Sequence, residues 1–288
     1  MSIYRGRFAP SPTGLLHFGS LFAAVISYLE AKSREGEWLI RIEDIDPLRE
    51  QKDSKQAIIQ SLAAHGLISD RPVVFQSERS QLYEKTLSTL AQSGFTYACP
   101  CSRKYLNEHQ GVHQPSCRNR NTGSQPCAIK FRADTHQHSW HDQYQGLQTY
   151  KLSEDFVLKR KEGFYAYQLA VVCDDIEQEI THITRGYDLL DSTPMQLALY
   201  QALAKTPPVF GHFPVITNDS GQKLSKQNLA LPINDQAALS NLLKVFRLAN
   251  IQLSESVSTC AQALYQASLI WHPDYLFGKR ELRQACSL

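Results

Sequence analysis

The sequence predicts an α/β fold: a parallel sheet with helices packed on its faces. Three observations predict it. Short apolar runs alternate with helically periodic stretches through the first 96 residues, the pattern of strand–helix–strand units. The chain has 288 residues, of which 42% are apolar, enough to bury a large core without disulfide staples. Charged residues make up 20%, with 14 Gly and 13 Pro, an ordinary globular composition that excludes disordered, collagen-like and coiled-coil chains.

The elements follow in order. Residues 3–8 read as a strand, and Ala9–Gly14 (APSPTG) as a turn-rich loop. Helical periodicity runs from Gly19 to Ser33, with Leu21, Phe22, Val25, Ile26 and Leu29 on the apolar face. Glu37–Asp44 reads as a second strand. A helix is expected over Leu48–His65, stopped at Gly66. Val73–Gln76 gives a third strand and Ser80–Ser93 a third helix. The alternation breaks at 97. From there to Asp142 the chain is rich in Cys, His, Gln, Asn and Gly and short of aliphatic residues, so it is expected to build little core. Periodic structure resumes at Phe156–Leu158 and Tyr165–Val172, and helical patterns fill the chain beyond Gln236.

Charge and cysteine usage narrow the function classes. Lys and Arg total 30 against 28 Asp and Glu, a net +2, too balanced for a protein that coats nucleic acid non-specifically. The 97–142 segment is locally more basic, so a nucleic-acid contact would be local. No run approaches the ~18 apolar residues that span a bilayer, and the N-terminus lacks the apolar region of a secretory signal. Seven unframed cysteines suggest a reducing compartment, and a cytoplasmic protein is expected.

Two stretches carry chemistry. In GRFAPSPTGLLHFGSL (Gly6–Leu21), a strand enters a Pro/Gly loop, and His17 and Gly19 stand where a helix begins. Free N–H groups and positive partial charge there suit a phosphate. The bland reading of His17 is a cap or a surface side chain. In GQKLSKQ (Gly221–Gln227), which follows the apolar, strand-like Phe213–Ile216, Lys223 and Lys226 could neutralise a polyphosphate, or form a solvated basic loop. A third pattern is Cys99-Pro-Cys101 followed by His113 and Cys117. Thiolate and imidazole ligands in a closed set suit structural zinc. His109 and Cys127 are reserve ligands, and free buried cysteines are the alternative.

Together the first two stretches resemble the signatures of class I aminoacyl-tRNA synthetases. RFAPSPTG-x-LH-x-G is similar to the HIGH motif of the glutamyl and glutaminyl members, with Ser20 at the second histidine, and KLSK to the KMSKS motif. RIEDIDPLR (Arg41–Arg49), AYQLAVVCDD (Ala166–Asp175) and ITHITRGYDLLDST (Ile180–Thr193) extend the resemblance over residues 5–230. It implies a Rossmann-type catalytic domain in two halves, 1–96 and 143–235, the second carrying the KLSKQ loop. Between them lies a zinc-binding insertion over 97–142, and a helical stem-like region follows over 236–288, without an anticodon-binding domain.

The resemblance also implies roles. His17, Gly19, Lys223 and Lys226 would bind ATP, with His17 and Lys226 catalytic and Mg²⁺ accompanying the nucleotide. Arg7 and Arg185 would read the side-chain carboxylate of glutamate, which a guanidinium fork fits better than an amide. Glu43 would accept the α-ammonium group, with Ser11 and Tyr167 lining the pocket. Surface ion pairs for the arginines and a packed hydroxyl for Tyr167 are the bland alternatives. Similar enzymes carry zinc at this insertion, often with tyrosine at the third position, where this sequence has His113. With some 60 residues after KLSKQ, the chain resembles a truncated branch that activates glutamate without tRNA and attaches it to the queuosine base in the anticodon of tRNA-Asp. A monomer is the default. Alternatives are a catalytically silent paralogue that binds glutamate or tRNA, an enzyme charging a tRNA 3′ end, and a nucleotidyltransferase with another substrate.

Overall fold

The computed structural model describes residues 3–101, 103–108, 115–119, 122–123, 125–133, 137–218, 221 and 231–283. In the first half the elements are β1 (Arg5–Phe8), α1 (Phe18–Lys32), β2 (Glu37–Ile42), α2 (Ser54–Ala64), β3 (Val74–Phe75) and α3 (Ser80–Gln92). The middle holds β4 (Thr96–Cys99), α4 (Arg103–Glu108), β5 (Ala128–Phe131), β6 (Gln137–Asp142), β7 (Gly146–Lys151) and β8 (Phe156–Lys159). Then come α5 (Tyr167–Glu177), β9 (His182–Gly186), α6 (Thr193–Ala202), β10 (Val209–Phe213), β11 (Val215–Thr217), α7 (Ala238–Leu248), α8 (Cys260–Leu269) and β12 (Glu281–Arg283).

The expected parallel α/β core is present. β1 pairs in parallel with β2, and β2 with β3. β9 and β10 form a second parallel pair, set beside β1 by the Thr181 N–H, which donates to Arg5 O at 3.0 Å. Parallel neighbours need crossovers, and α1 and α6 supply two of them. α1 buries Leu21, Phe22, Val25, Ile26 and Leu29, the face its periodicity marks, against Trp38 and Ile40 of β2. Leu242, Val245 and Phe246 of α7, Leu264 of α8 and Trp271 complete the same core. A second core gathers Tyr83, Leu87 and Leu90 of α3 with Leu169–Cys173 of α5 and Leu199 of α6. Near the end of α1, the buried Glu30 accepts from Tyr144 Oη at 2.7 Å and Trp271 Nε1 at 3.1 Å, and pairs with Arg34.

Three expectations are corrected. The helix expected from Leu48 begins only at Ser54, because Asp53 takes a left-handed backbone (φ 62°) and breaks the turn before it. Leu48, where the helix was expected to start, is 79% exposed. The strand-like Phe213–Ile216 is two strands, since Pro214 offers no N–H to continue a ladder. The third correction concerns the segment beyond 97, which builds more core than its composition suggested. β4, β5 and β8 form an antiparallel sheet that carries Phe131 into the second core, and β6 and β7 form a hairpin. No described helix is long and apolar enough to cross a membrane.

Candidate active site

The carboxyl ends of β1, β2, β9 and β10 open on one cleft of about 520 Å³, the usual place for a ligand in an open parallel sheet. Arg7, Ser11, His17, Gly19, Glu43, Tyr167 and Arg185 all line it. Every expected site residue of the catalytic half that falls among the described residues is thus brought together. Lys223, Lys226, His113 and His109 lie outside the described residues.

One wall is a buried charge network. Arg7 grips Asp175 with two parallel bonds, Nε to Oδ1 at 3.0 Å and Nη2 to Oδ2 at 3.2 Å, which leaves Nη1 for a ligand. Arg41, fully buried on β2, donates to the same Asp175 Oδ1 and to Gln178 Oε1, both at 2.8 Å, and reaches Glu43 Oε1 at 3.4 Å. Burial alone would raise the carboxyl of Asp175, but Arg41 and Arg7 hold it below the usual range. For Glu43 burial wins over the same two arginines and pushes the carboxyl up to about 7. A charged group brought next to Glu43 therefore decides its protonation.

Arg185 is held differently. Its Nε donates to His212 Nε2 at 2.9 Å, and its Nη2 to Thr193 Oγ1 at 2.9 Å and Leu189 O at 3.3 Å. Its Nη1 reaches Tyr167 Oη at 3.4 Å. All four partners are neutral, and among the described residues no carboxylate pairs with it, although the residue is only 5% exposed. Burial lowers its pKa accordingly. A buried cation with neutral partners creates a demand for an anion. Gly186 follows at the rim, where a Cβ would meet Asp188 Oδ1 at 2.5 Å.

At the opposite end His17 caps α1. Its Nδ1 accepts from Ser20 N–H at 3.3 Å, and Nε2 lies 3.0 Å from Ser20 Oγ. The cap reading and the cleft position are therefore compatible. The loop is tied to β2, since Glu43 N–H donates to Pro10 O at 3.0 Å. Asp44 caps the turn that follows β3: it accepts from Ser77 N–H at 2.8 Å and pairs with Lys55. Sequence reasoning missed Arg41, Asp175, His212 and Asp142. The available signals were an acidic pair ending the apolar run LAVVCDD and a histidine inside an apolar strand.

A separate cluster lies in the middle segment. β4 carries Cys99, and a 3₁₀ turn over Pro115–Asn119 carries Cys117; with Cys101 their sulfurs all lie within 4.8 Å of one another. The Cys101–Cys117 sulfur distance is 3.4 Å. Three thiols converging without a disulfide fit a soft, tetrahedral divalent ion such as zinc. Cys127 stands apart, with its thiol donating to Gln125 O.

Comparison with known proteins gives the chain a family. A family model described as tRNA synthetases class I (E and Q), catalytic domain, matches residues 4–251. The Glutamyl-Q tRNA(Asp) synthetase of Chromobacterium violaceum is 49% identical over 251 residues, covering 84% of each chain. That of Idiomarina loihiensis is 43% identical over 274 residues, covering 93% of this chain and 97% of its own. The one from Pseudomonas entomophila is 41% identical over 289 residues, covering 99% and 98%. Among solved structures, the glutamate-tRNA synthetase of Elizabethkingia anophelis superimposes with a TM-score of 0.84 at 22% identity, over 99% of this chain and 68% of that one. That likeness is one of fold.

Proposed function

Since the chain belongs to the class I tRNA synthetases (E and Q), a family of ATP-dependent ligases, we propose that it activates glutamate without tRNA and transfers it to queuosine in the anticodon of tRNA-Asp. Arg185 carries the glutamate half of the reading, as a buried guanidinium on the cleft whose partners among the described residues are all neutral. The acceptor half rests on the relatives at 41–49% identity that bear the name Glutamyl-Q tRNA(Asp) synthetase.

In the first step the α-carboxylate of glutamate attacks the α-phosphorus of ATP, and the bond to pyrophosphate breaks. Arg185 and the spare Nη1 of Arg7 take the side-chain carboxylate, Glu43 takes the α-ammonium group, and Ser11 and Tyr167 close the pocket. His17, with the N-terminus of α1, holds phosphate oxygens, and Gly19 leaves room for the nucleotide. Lys226, supported by Lys223, stabilises charge on the departing pyrophosphate. Magnesium accompanies ATP in this family and neutralises the polyphosphate. In the second step a hydroxyl of the acceptor attacks the activated carbonyl and AMP leaves. Positioning and charge do the work, and no nucleophilic side chain is required.

Cys99, Cys101 and Cys117, with His113 as fourth ligand, would hold zinc as a structural ion in an insertion over 97–142. The two catalytic halves, 1–96 and 143–235, flank it, with a helical region over 236–288. We read the protein as a cytoplasmic monomer. The test is glutamate-dependent ATP–pyrophosphate exchange without tRNA, followed by labelling. Label is expected on queuosine-bearing tRNA-Asp and not on tRNA-Glu. No exchange from clean, zinc-loaded protein would leave a silent binding paralogue, and label on the 3′ end of tRNA-Glu would overturn the acceptor.

A further inference from the structure

Two buried arginines meet the cleft, and they are secured in opposite ways. Arg7 is bound by the carboxylate of Asp175, Arg185 by the ring of His212. The parallel register makes His212 the direct partner of Arg185 across β9 and β10. An arginine can only donate, so His212 Nε2 must accept and the ring proton sits on Nδ1. That proton goes to Asp142 Oδ2, at 2.5 Å. The other oxygen, Oδ1, accepts three backbone N–H groups: His212 at 2.9 Å, and Tyr144 and Gln145 at 3.1 Å each. Both residues are completely buried. Burial pushes the imidazole down to about 4, against the pull of Asp142, so the ring is neutral at physiological pH.

We propose that Asp142 and His212 are positioning residues, fixing Arg185 through a neutral acceptor so that its charge stays free for the side-chain carboxylate of the amino acid. The inference rests on the glutamate reading above. A carboxylate set directly on Nε would cancel the guanidinium charge and shrink the difference between a carboxylate and an amide ligand. Here the negative charge is withdrawn by one imidazole. The strand pair supplies aim without neutralisation, and glutamate is selected over glutamine.

Asp142→Asn tests this with almost no change of shape. The three backbone donors keep the amide oxygen where Oδ1 is, so the NH₂ takes the place of Oδ2 and faces Nδ1. The ring must then carry its proton on Nε2, head to head with the Arg185 Nε–H. In the full-length, zinc-loaded protein we expect the glutamate KM in ATP–pyrophosphate exchange to rise by about tenfold or more, the loss of one buried charge-assisted bond. The ATP KM should stay within about twofold, and discrimination against glutamine should fall. The ¹⁵N shifts of His212 should switch tautomer. An unmoved glutamate KM, or an unswitched ring, overturns the proposal while exchange in the wild type keeps the function. A parallel rise of both KM values with a lower unfolding temperature makes the dyad mere structural support and also overturns it. No exchange in the wild type sinks the proposed function, and this inference with it.

Discussion

Glu43 is one carboxyl with two opposed pH dependences. Folded, it keeps its proton up to about pH 7, whereas its ordinary value is 4.5. Between those values the folded state binds more protons than the unfolded chain, so stability falls as pH rises through the window, by about 3 kcal/mol in all. Glu43→Gln removes this slope. The variant should match the wild type near pH 4 and exceed it at pH 8 by up to that amount, read from urea unfolding at both pH values. Ligand binding runs the other way, because an ammonium group needs the ionised carboxylate. The glutamate KM should drop as pH rises from about 6 to about 8, and a flat KM would dissociate Glu43 from the substrate. At this scale the sequence was readable where a residue sits inside a motif, as Arg7, His17, Glu43 and Arg185 do. Asp175, although it closes the AYQLAVVCDD stretch, and His212 received no role, because their meaning comes from Arg7, 168 positions away, and Arg185, 27 positions away. Taken alone, an acidic residue ending a helix reads as polar surface, and a histidine in an apolar strand reads as core.

Among the elements, the pattern located α1, β1, β2 and α3 to within a residue or two, since the two helices bury a periodic apolar face and the two strands are buried along almost their whole length. It overran at Leu48 because apolar spacing cannot register the left-handed turn at Asp53. It also undervalued the middle segment, whose strands find their core in helices α3 and α5 rather than in their own composition. The cysteine cluster belongs here, since it joins the end of β4 to a turn 16 residues past Cys101. Purified protein should hold about one zinc per chain, measured by atomic emission, and Cys99→Ser should lose nearly all of it. The unfolding temperature should fall by several degrees. Cys127→Ser should leave the zinc content alone. Substoichiometric zinc in the wild type, restored by no zinc-supplemented growth, would rule the site out.

On the scale of the whole molecule, Glu30 joins three distant parts of the chain: α1, the loop at Tyr144 and Trp271 beyond α8. Trp271→Phe keeps the ring but withdraws one donor from a buried carboxylate, a loss of about 1–3 kcal/mol. It should appear as a lower denaturant midpoint with an unchanged slope and a single transition. Two separate transitions would mean that the C-terminal helices fold by themselves. The pairing of β12 with β11 and the burial of Leu276 and Leu282 in the core of α1 argue for one transition. α1 itself is a 15-residue rod, about 22 Å long, with His17 at one end and Glu30 near the other. The helices after 236 thus serve as a keel for the helix that presents His17 to the cleft. An engineer separating them from the nucleotide half would be cutting through the core.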